Sequence, residues 1–259
     1  MKLPLYQVDA FTSTLFGGNP AAVVPLTEWL PDDVLAAIAA ENNLSETAFV
    51  LPQADPAPLR WFTPAVEVDL CGHATLATAH ILFRHLLPGR DRLAFSTRSG
   101  TLSVTRTGEL LSMDFPSRPA SEVDITDELV AALGRRPVKA YRARDLMAVF
   151  DSESDVRDLR PDFQRVAALD AFAVIVTAPG KEVDFVSRFF APAKGIPEDP
   201  VTGSAHCTLI PYWAARRGKT QLTARQLSRR GGELYCTLRG DRVDIAGRAV
   251  EYLKGEITV

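Results

Sequence analysis

Long apolar runs are missing from this chain: nowhere do about 18 apolar residues follow one another, the length that a membrane-spanning helix needs. The opening stretch, MKLPLYQVDAF, has too little apolar length for a secretory leader, so a cytoplasmic protein is expected. Cysteine is scarce as well. Cys71, Cys207 and Cys236 cannot all pair within one chain, and no C-x-x-C spacing points to zinc or redox work. Reduced thiols are expected at all three. An excess of charge of one sign is also lacking, since 29 Lys and Arg stand against 32 Asp and Glu with neither sign gathered into a run. That excludes a phosphate-tracking surface and a membrane-binding stripe, and neither nucleic acid nor membrane is expected as a partner. There is no G-x-G-x-x-G after a strand, no G-x-x-x-x-G-K-[ST] and no G-x-S-x-G, so neither a bound nucleotide nor a serine hydrolase is supported.

What is present is an ordinary apolar fraction of 46% and an internal repeat. Residues 60–65 read Arg-Trp-Phe-Thr-Pro-Ala, and residues 188–193 read Arg-Phe-Phe-Ala-Pro-Ala. A few positions later, Cys71-Gly72-His73-Ala74 is echoed by Thr202-Gly203-Ser204-Ala205. Upstream, Asn19–Val24 and Thr47–Leu51 correspond in outline to Asp145–Phe150 and Ala173–Thr177. An ordered series of matches argues for a duplication where any one of them would not.

Each half reads as strand, helix, strand, strand, a glycine-started helix, and then short strands. In the first half Pro31 suits the start of a helix, Asp32 and Asp33 favour its positive end, and Asn42-Asn43 can stop it. Strands are expected near 46–51 and 59–63, a helix over 73–86, and strands at 92–97, 100–106 and 109–115. Pro116-Ser117-Arg118-Pro119 marks the boundary, giving lobes 1–118 and 119–259, with a last strand that can return to the first lobe. The fold class expected is α+β, with a ligand cleft between the two halves.

A helix that starts on glycine leaves unpaired N–H groups and a positive dipole end open to an anion. Gly72-His73 and Gly203-Ser204 therefore suit a carboxylate or an enolate-like oxygen. Glu46, at the start of a strand, is a candidate general base whose pKa partial burial would raise. His73, in the first turn of its helix, is expected neutral. Asp199 is a second candidate acid/base group or an orienting partner for His73, and Cys71 is a thiol that the helix start would acidify. Asp69, Cys71, His73 and His80 match no established metal spacing, so no metal is expected. Pro211 falls inside the second glycine-started helix and should kink or end it.

Five strings in order, Gln7–Thr12, Gly18–Val23, Asn43–Thr47, Asp69–Thr75 and Glu198–Ala205, give the chain a resemblance to the PhzF-like isomerase family of phenazine biosynthesis over nearly its whole length. The resemblance implies a diaminopimelate epimerase-like fold, two pseudo-symmetric lobes each wrapping a sheet or half-barrel around a central helix. It also implies a homodimer without cofactor or metal, acting on a small anionic carboxylate; the analogous substrate is dihydro-3-hydroxyanthranilate. By motif, Glu46 looks like the acid/base, with His73 and Asp199 as polar partners. Gly72, His73, Gly203, Ser204, Asn19 and Cys71 look like substrate-binding positions. Epimerases of this fold oppose a cysteine from each half, whereas this chain has Cys71 against Thr202, which favours one base over two. The alternatives are a Cys71-dependent epimerase or racemase and a non-catalytic small-molecule binder of the same fold.

Overall fold

In the computed structural model, which describes residues 1–259, the first unit is built from two chain segments, Met1–Asp114 and Ala246–Val259. The division falls at Asp114 rather than after Arg118. The first unit's strands are β1 (Lys2–Ala10), β2 (Asn19–Pro25), β3 (Glu46–Val50), β4 (Ala57–Phe62), β5 (Glu67–Val68), β6 (Arg92–Thr97), β7 (Gly100–Thr107) and β8 (Leu110–Pro116). Its helices are α1 (Asp32–Asn42) and α2 (Gly72–Ile81), the latter running on into one π-helical turn at Leu82–Leu86. Pro31 precedes α1 as its N-cap rather than as its first residue, and Asn43 ends it in the left-handed region.

β2 and β3 are buried along nearly their whole length because helices cover both faces. On one face Leu35, Ile38 and Ala39 of α1 pack with Val24, Phe49 and Phe62. On the other lies α2, whose residues are buried almost all round. Its sequence suits that place. Alanines let the strands approach closely, and the Thr75 and Thr78 hydroxyls are satisfied by donating to the carbonyls of Cys71 and Ala74 at 2.6 and 2.7 Å.

The second unit, Phe115–Ile245, carries β9 (Ser121–Val123), α3 (Asp127–Leu133), β10 (Lys139–Arg142), β11 (Leu146–Val149), α4 (Glu153–Arg157), α5 (Phe163–Ala168), β12 (Val174–Pro179), β13 (Phe185–Phe190), α6 (Gly203–Arg217), β14 (Gln221–Gln226), β15 (Gly232–Arg239) and β16 (Arg242–Gly247). α3, α4 and α5 contribute Leu129, Leu133, Val156 and Val166 to a core against Ala148, Val174, Val176, Val186 and Phe190.

The ladder order exposes the duplication more fully than the sequence does. From the C-terminal strand Ala249–Thr258 through β1, β2, β3, β4 and β6 to β7, successive pairings run antiparallel, antiparallel, parallel, antiparallel, parallel, antiparallel. From β9 through β10, β11, β12, β13 and β14 to β15 the same senses recur in the same order. The repeated arginine explains itself too. Arg60 makes a two-pronged pair with Glu67 at 2.7 and 2.8 Å, and Arg188 makes one with Glu198 at 2.7 and 3.0 Å. In each half this pair ties the fifth strand of the ladder to the segment leading into the glycine-started helix.

Pro211 does not end α6, which runs through to Arg217. A proline there leaves the carbonyl of Cys207 without its helical donor. The backbone N–H of Arg118 fills the gap, donating to that oxygen at 2.8 Å. No helix in the chain is long and apolar enough to cross a membrane.

Candidate functional site

Strand alternation assembles the first unit's cluster. Because Val24 and Phe49 face α1, Asn19 on β2 and Glu46 on β3 face α2. Parallel register sets Ala21 beside Glu46, with Asn19 two residues earlier on the same face. The approach to Asn19 needs glycine at position 18, whose φ of +59° is left-handed and where a Cβ would overlap the Ala10 carbonyl. His73 enters from the first turn of α2, and Cys71 is that helix's N-cap.

The His73 ring is engaged at both nitrogens. Nε2 lies 3.0 Å from Glu46 Oε2, although the two atoms do not meet hydrogen-bond alignment, so the contact is an ion pair with an off-axis approach. Nδ1 lies 3.2 Å from the Asn19 amide nitrogen and 3.5 Å from Cys71 Sγ. The Ser45 hydroxyl donates to Asn19 Oδ1 at 3.4 Å. The side chains of His73 and Glu46 are 8% and 12% exposed, so their interaction is little screened by water.

Burial alone would raise the Glu46 pKa, but the His73 charge 3.0 Å away, with a contribution from Cys71, outweighs it and holds the carboxyl below its ordinary value. Burial alone would lower His73. Its contact with Cys71 and the neighbouring Glu46 charge reverse that and raise the ring well above its ordinary value. Cys71 is pushed up to about 11 by burial and by the Glu46 charge. All three directions correct the sequence reading, which weighed burial and the helix dipole without the partners. The expected Glu46 rise becomes a fall, the expected neutral His73 gains proton affinity, and the expected acidified thiol is held as a thiol. The other cysteines are likewise free and buried.

Glu46, Cys71 and His73 bring ligand-type atoms within 4.8 Å of one another. Their closest approaches use different ring nitrogens, Glu46 at Nε2 and Cys71 at Nδ1.

In the second unit, Thr202 is the N-cap of α6 and donates its hydroxyl to Asp199 Oδ2. Gly203 and Ser204 open the helix, which, like α2, has no side-chain cap bond at its start. Those first-turn N–H groups are the ones an anion would use. Gln226 on β14 holds this segment in place. Its amide oxygen accepts from Thr202 N at 2.8 Å, and its amide nitrogen donates to the Asp199 carbonyl at 2.8 Å and to Thr202 Oγ1 at 3.1 Å. Neither Gln226 nor Ser45 is marked out by the sequence reading. Gln226 has no local sequence signal, whereas Ser45 stands next to Glu46 in the Asn43–Thr47 string.

The profile of phenazine biosynthesis-like proteins matches residues 8–255. The chain belongs to the phenazine biosynthesis-like (PhzF) family. A Pseudomonas aeruginosa protein described as an uncharacterized isomerase is 55% identical over 99% of both chains. The crystal structure of a PhzF-family protein of Enterococcus faecalis superposes with a TM-score of 0.98 at 49% identity, covering all of both chains. The enzyme class that comes with this PhzF membership is isomerase. A hydroxyproline epimerase of Agrobacterium vitis, only 12% identical, shares the fold at a TM-score of 0.61 over 99% of this chain and 92% of its own. The PhzF chain is thus of the epimerase-like α+β type.

Proposed function

We propose that this PhzF-family chain moves a proton within a small carboxylate substrate without a cofactor, using Glu46 as the single acid/base group. The observation that carries the reading is the buried Glu46–His73 pair at 3.0 Å beside a thiol held protonated. A carboxylate below its ordinary pKa is unprotonated at neutral pH and able to take a proton. Glu46 removes a proton from one substrate carbon, and the electron pair passes into an enolate-like system whose oxygen accepts main-chain N–H bonds from Gly72 and His73. Glu46 then returns the same proton to another carbon, so the substrate is isomerised with nothing gained or lost. In the second unit, Gly203 and the Ser204 hydroxyl would bind anionic oxygen, and Asp199, oriented by Thr202 and Gln226, would serve as the further polar group.

The substrate to try is dihydro-3-hydroxyanthranilate. Wild-type protein should isomerise it, Glu46→Gln should lose the activity, and Cys71→Ser should keep it. Loss in Cys71→Ser with retention in Glu46→Gln would replace the carboxylate scheme with a thiol one. No turnover by wild type, with Glu46→Gln still binding the compound, would exclude that substrate and leave the reaction class to be tested on other carboxylates.

A further inference from the structure

The C-terminal strand, Ala249–Thr258, pairs with β1 along one edge. Residues Tyr252–Glu256 are exposed one after another, where a strand covered on one face would alternate, so the other edge is open to water. The register shows what that edge presents. Met1 and Val259 exchange both main-chain bonds, and every second pair along the ladder, Leu3–Ile257 and Leu5–Gly255, is then a bonded pair as well. Lys254, Glu256 and Thr258 therefore point their N–H and C=O groups outward. Pro4, opposite Glu256, agrees with this, since a proline has no N–H to give at a bonded pair. Such an edge is a template for another strand.

The surrounding side chains fit a copy of the same chain. Lys254 and Glu256 lie on one face of the strand, where Glu256 is held by an exposed Lys2 at 2.6 Å, a pair worth little. On the opposite face Leu253, which is exposed, and Ile257 flank Gly255. Ile257 and Val259, with Val34, Ala37 and Ile38 of α1, line an open cavity of about 580 Å³. At one end of the strand the exposed Phe16 and Tyr252 rings meet edge-on at 5.8 Å, and at the other end Met1 and Val259 are exposed.

We infer that this edge pairs antiparallel with the same edge of a second copy, about a two-fold axis through Gly255. In that register Lys254 of each chain lies opposite Glu256 of the other, joined main chain to main chain and ammonium to carboxylate, and symmetry makes the contact twice. A slip of two residues either way would set Lys254 against Lys254 or Glu256 against Glu256, and a slip of one would meet inward-pointing groups. Leu253 of the second copy falls opposite Ile257, at the mouth of the cavity beside α1. The Phe16 and Tyr252 end of each chain meets the Met1 and Val259 end of the other, so apolar surface exposed on one copy is covered by the other.

Gly255→Cys tests the axis directly, because position 255 faces itself in a non-bonded pair, where Cα atoms stand about 4.5 Å apart, within reach of a disulfide. A Cβ there meets only the end of the Leu253 side chain, at 3.6 Å, and the chain's own cysteines are buried. Mild oxidation should give a two-chain band that reductant reverses, whereas Thr258→Cys, exposed but far from the axis, should give none. In sedimentation the wild type should be a dimer. Lys254→Glu and Glu256→Lys should each raise its dissociation constant about tenfold, and the two together should restore it to within about threefold. Both positions are exposed, so the reversals should leave the melting temperature of the chain in place. A wild type still monomeric at about 100 µM, a dimer indifferent to both single reversals, no rescue in the double variant, or equal cross-linking through 255 and 258 would each overturn the inference. None of these readouts involves Glu46, so the pairing is decided separately from the proposed chemistry.

Discussion

Replacing Arg188 by Met keeps most of the side chain's length and apolar bulk while removing every polar contact it makes. In the second unit Arg188 holds Glu198 through two bonds and also donates to the carbonyls of Val156 and Leu159 at 3.2 and 3.0 Å. Arg188 is 8% exposed, so those carbonyls are left largely without water. Breaking a buried pair costs about 3–5 kcal/mol; since the Glu198 side chain is 21% exposed and can rehydrate, about 3 kcal/mol is expected. At about 2–4 °C per kcal/mol for a protein of this size, the melting temperature should drop by about 6–12 °C. Arg60→Met is the internal control. Arg60 is more exposed, and its partner Glu67 retains Arg98 at 2.8 Å, so about 1 kcal/mol and a correspondingly smaller drop are expected. Calorimetry on both variants reads the difference. Equal losses, or an Arg188→Met transition within 2 °C or so of wild type, would refute the claim that buried carbonyl bonds set the cost.

Other outcomes follow from single residues. Burial holds the His206 ring at about 4, so the unfolded chain binds the extra proton first. Stability should be full above the ordinary histidine value of about 6.5 and fall by about 3 kcal/mol as pH drops toward 4; titration of melting temperature against pH in wild type and His206→Gln isolates that slope. Pro211→Ala should change stability by no more than about 1 kcal/mol in denaturant titration, not the roughly 3 kcal/mol that relief of a helix-interior proline can bring. The Cys207 carbonyl already has the Arg118 donor. With its thiol pushed up to about 11, Cys71 should alkylate at pH 8 about 100-fold more slowly than a free cysteine, read by mass spectrometry of its peptide; fast modification would mean the thiol is not held protonated.

The parts of this account that sequence made legible are those written locally or written twice. The glycine starts at Gly72 and Gly203, the Asn43 stop of α1 and the strands after α2 are local signals, and each sits within a residue or two of its expected place. The Arg60 and Arg188 strings announced the duplication, yet what they do depends on Glu67 and Glu198, seven and ten residues away. Charge states were not legible. They depend on Glu46, Cys71 and His73 meeting through the register of two strands and the packing of a helix, and partners at 3.0–3.5 Å outweigh the dipole and desolvation arguments that a sequence supports. Pro211 was opaque for the same reason, since its compensation comes from the backbone of Arg118 in a different part of the second unit.

The central claim, that one carboxylate carries the proton from carbon to carbon, is tested most directly by the fate of a label. Dihydro-3-hydroxyanthranilate deuterated at the carbon that loses its proton should yield, in ordinary water, a product retaining deuterium at the new carbon, because Glu46 is largely shielded from solvent. Complete washout of the label into water from the first turnover, with the solvent proton delivered in its place, would contradict transfer by a single buried base.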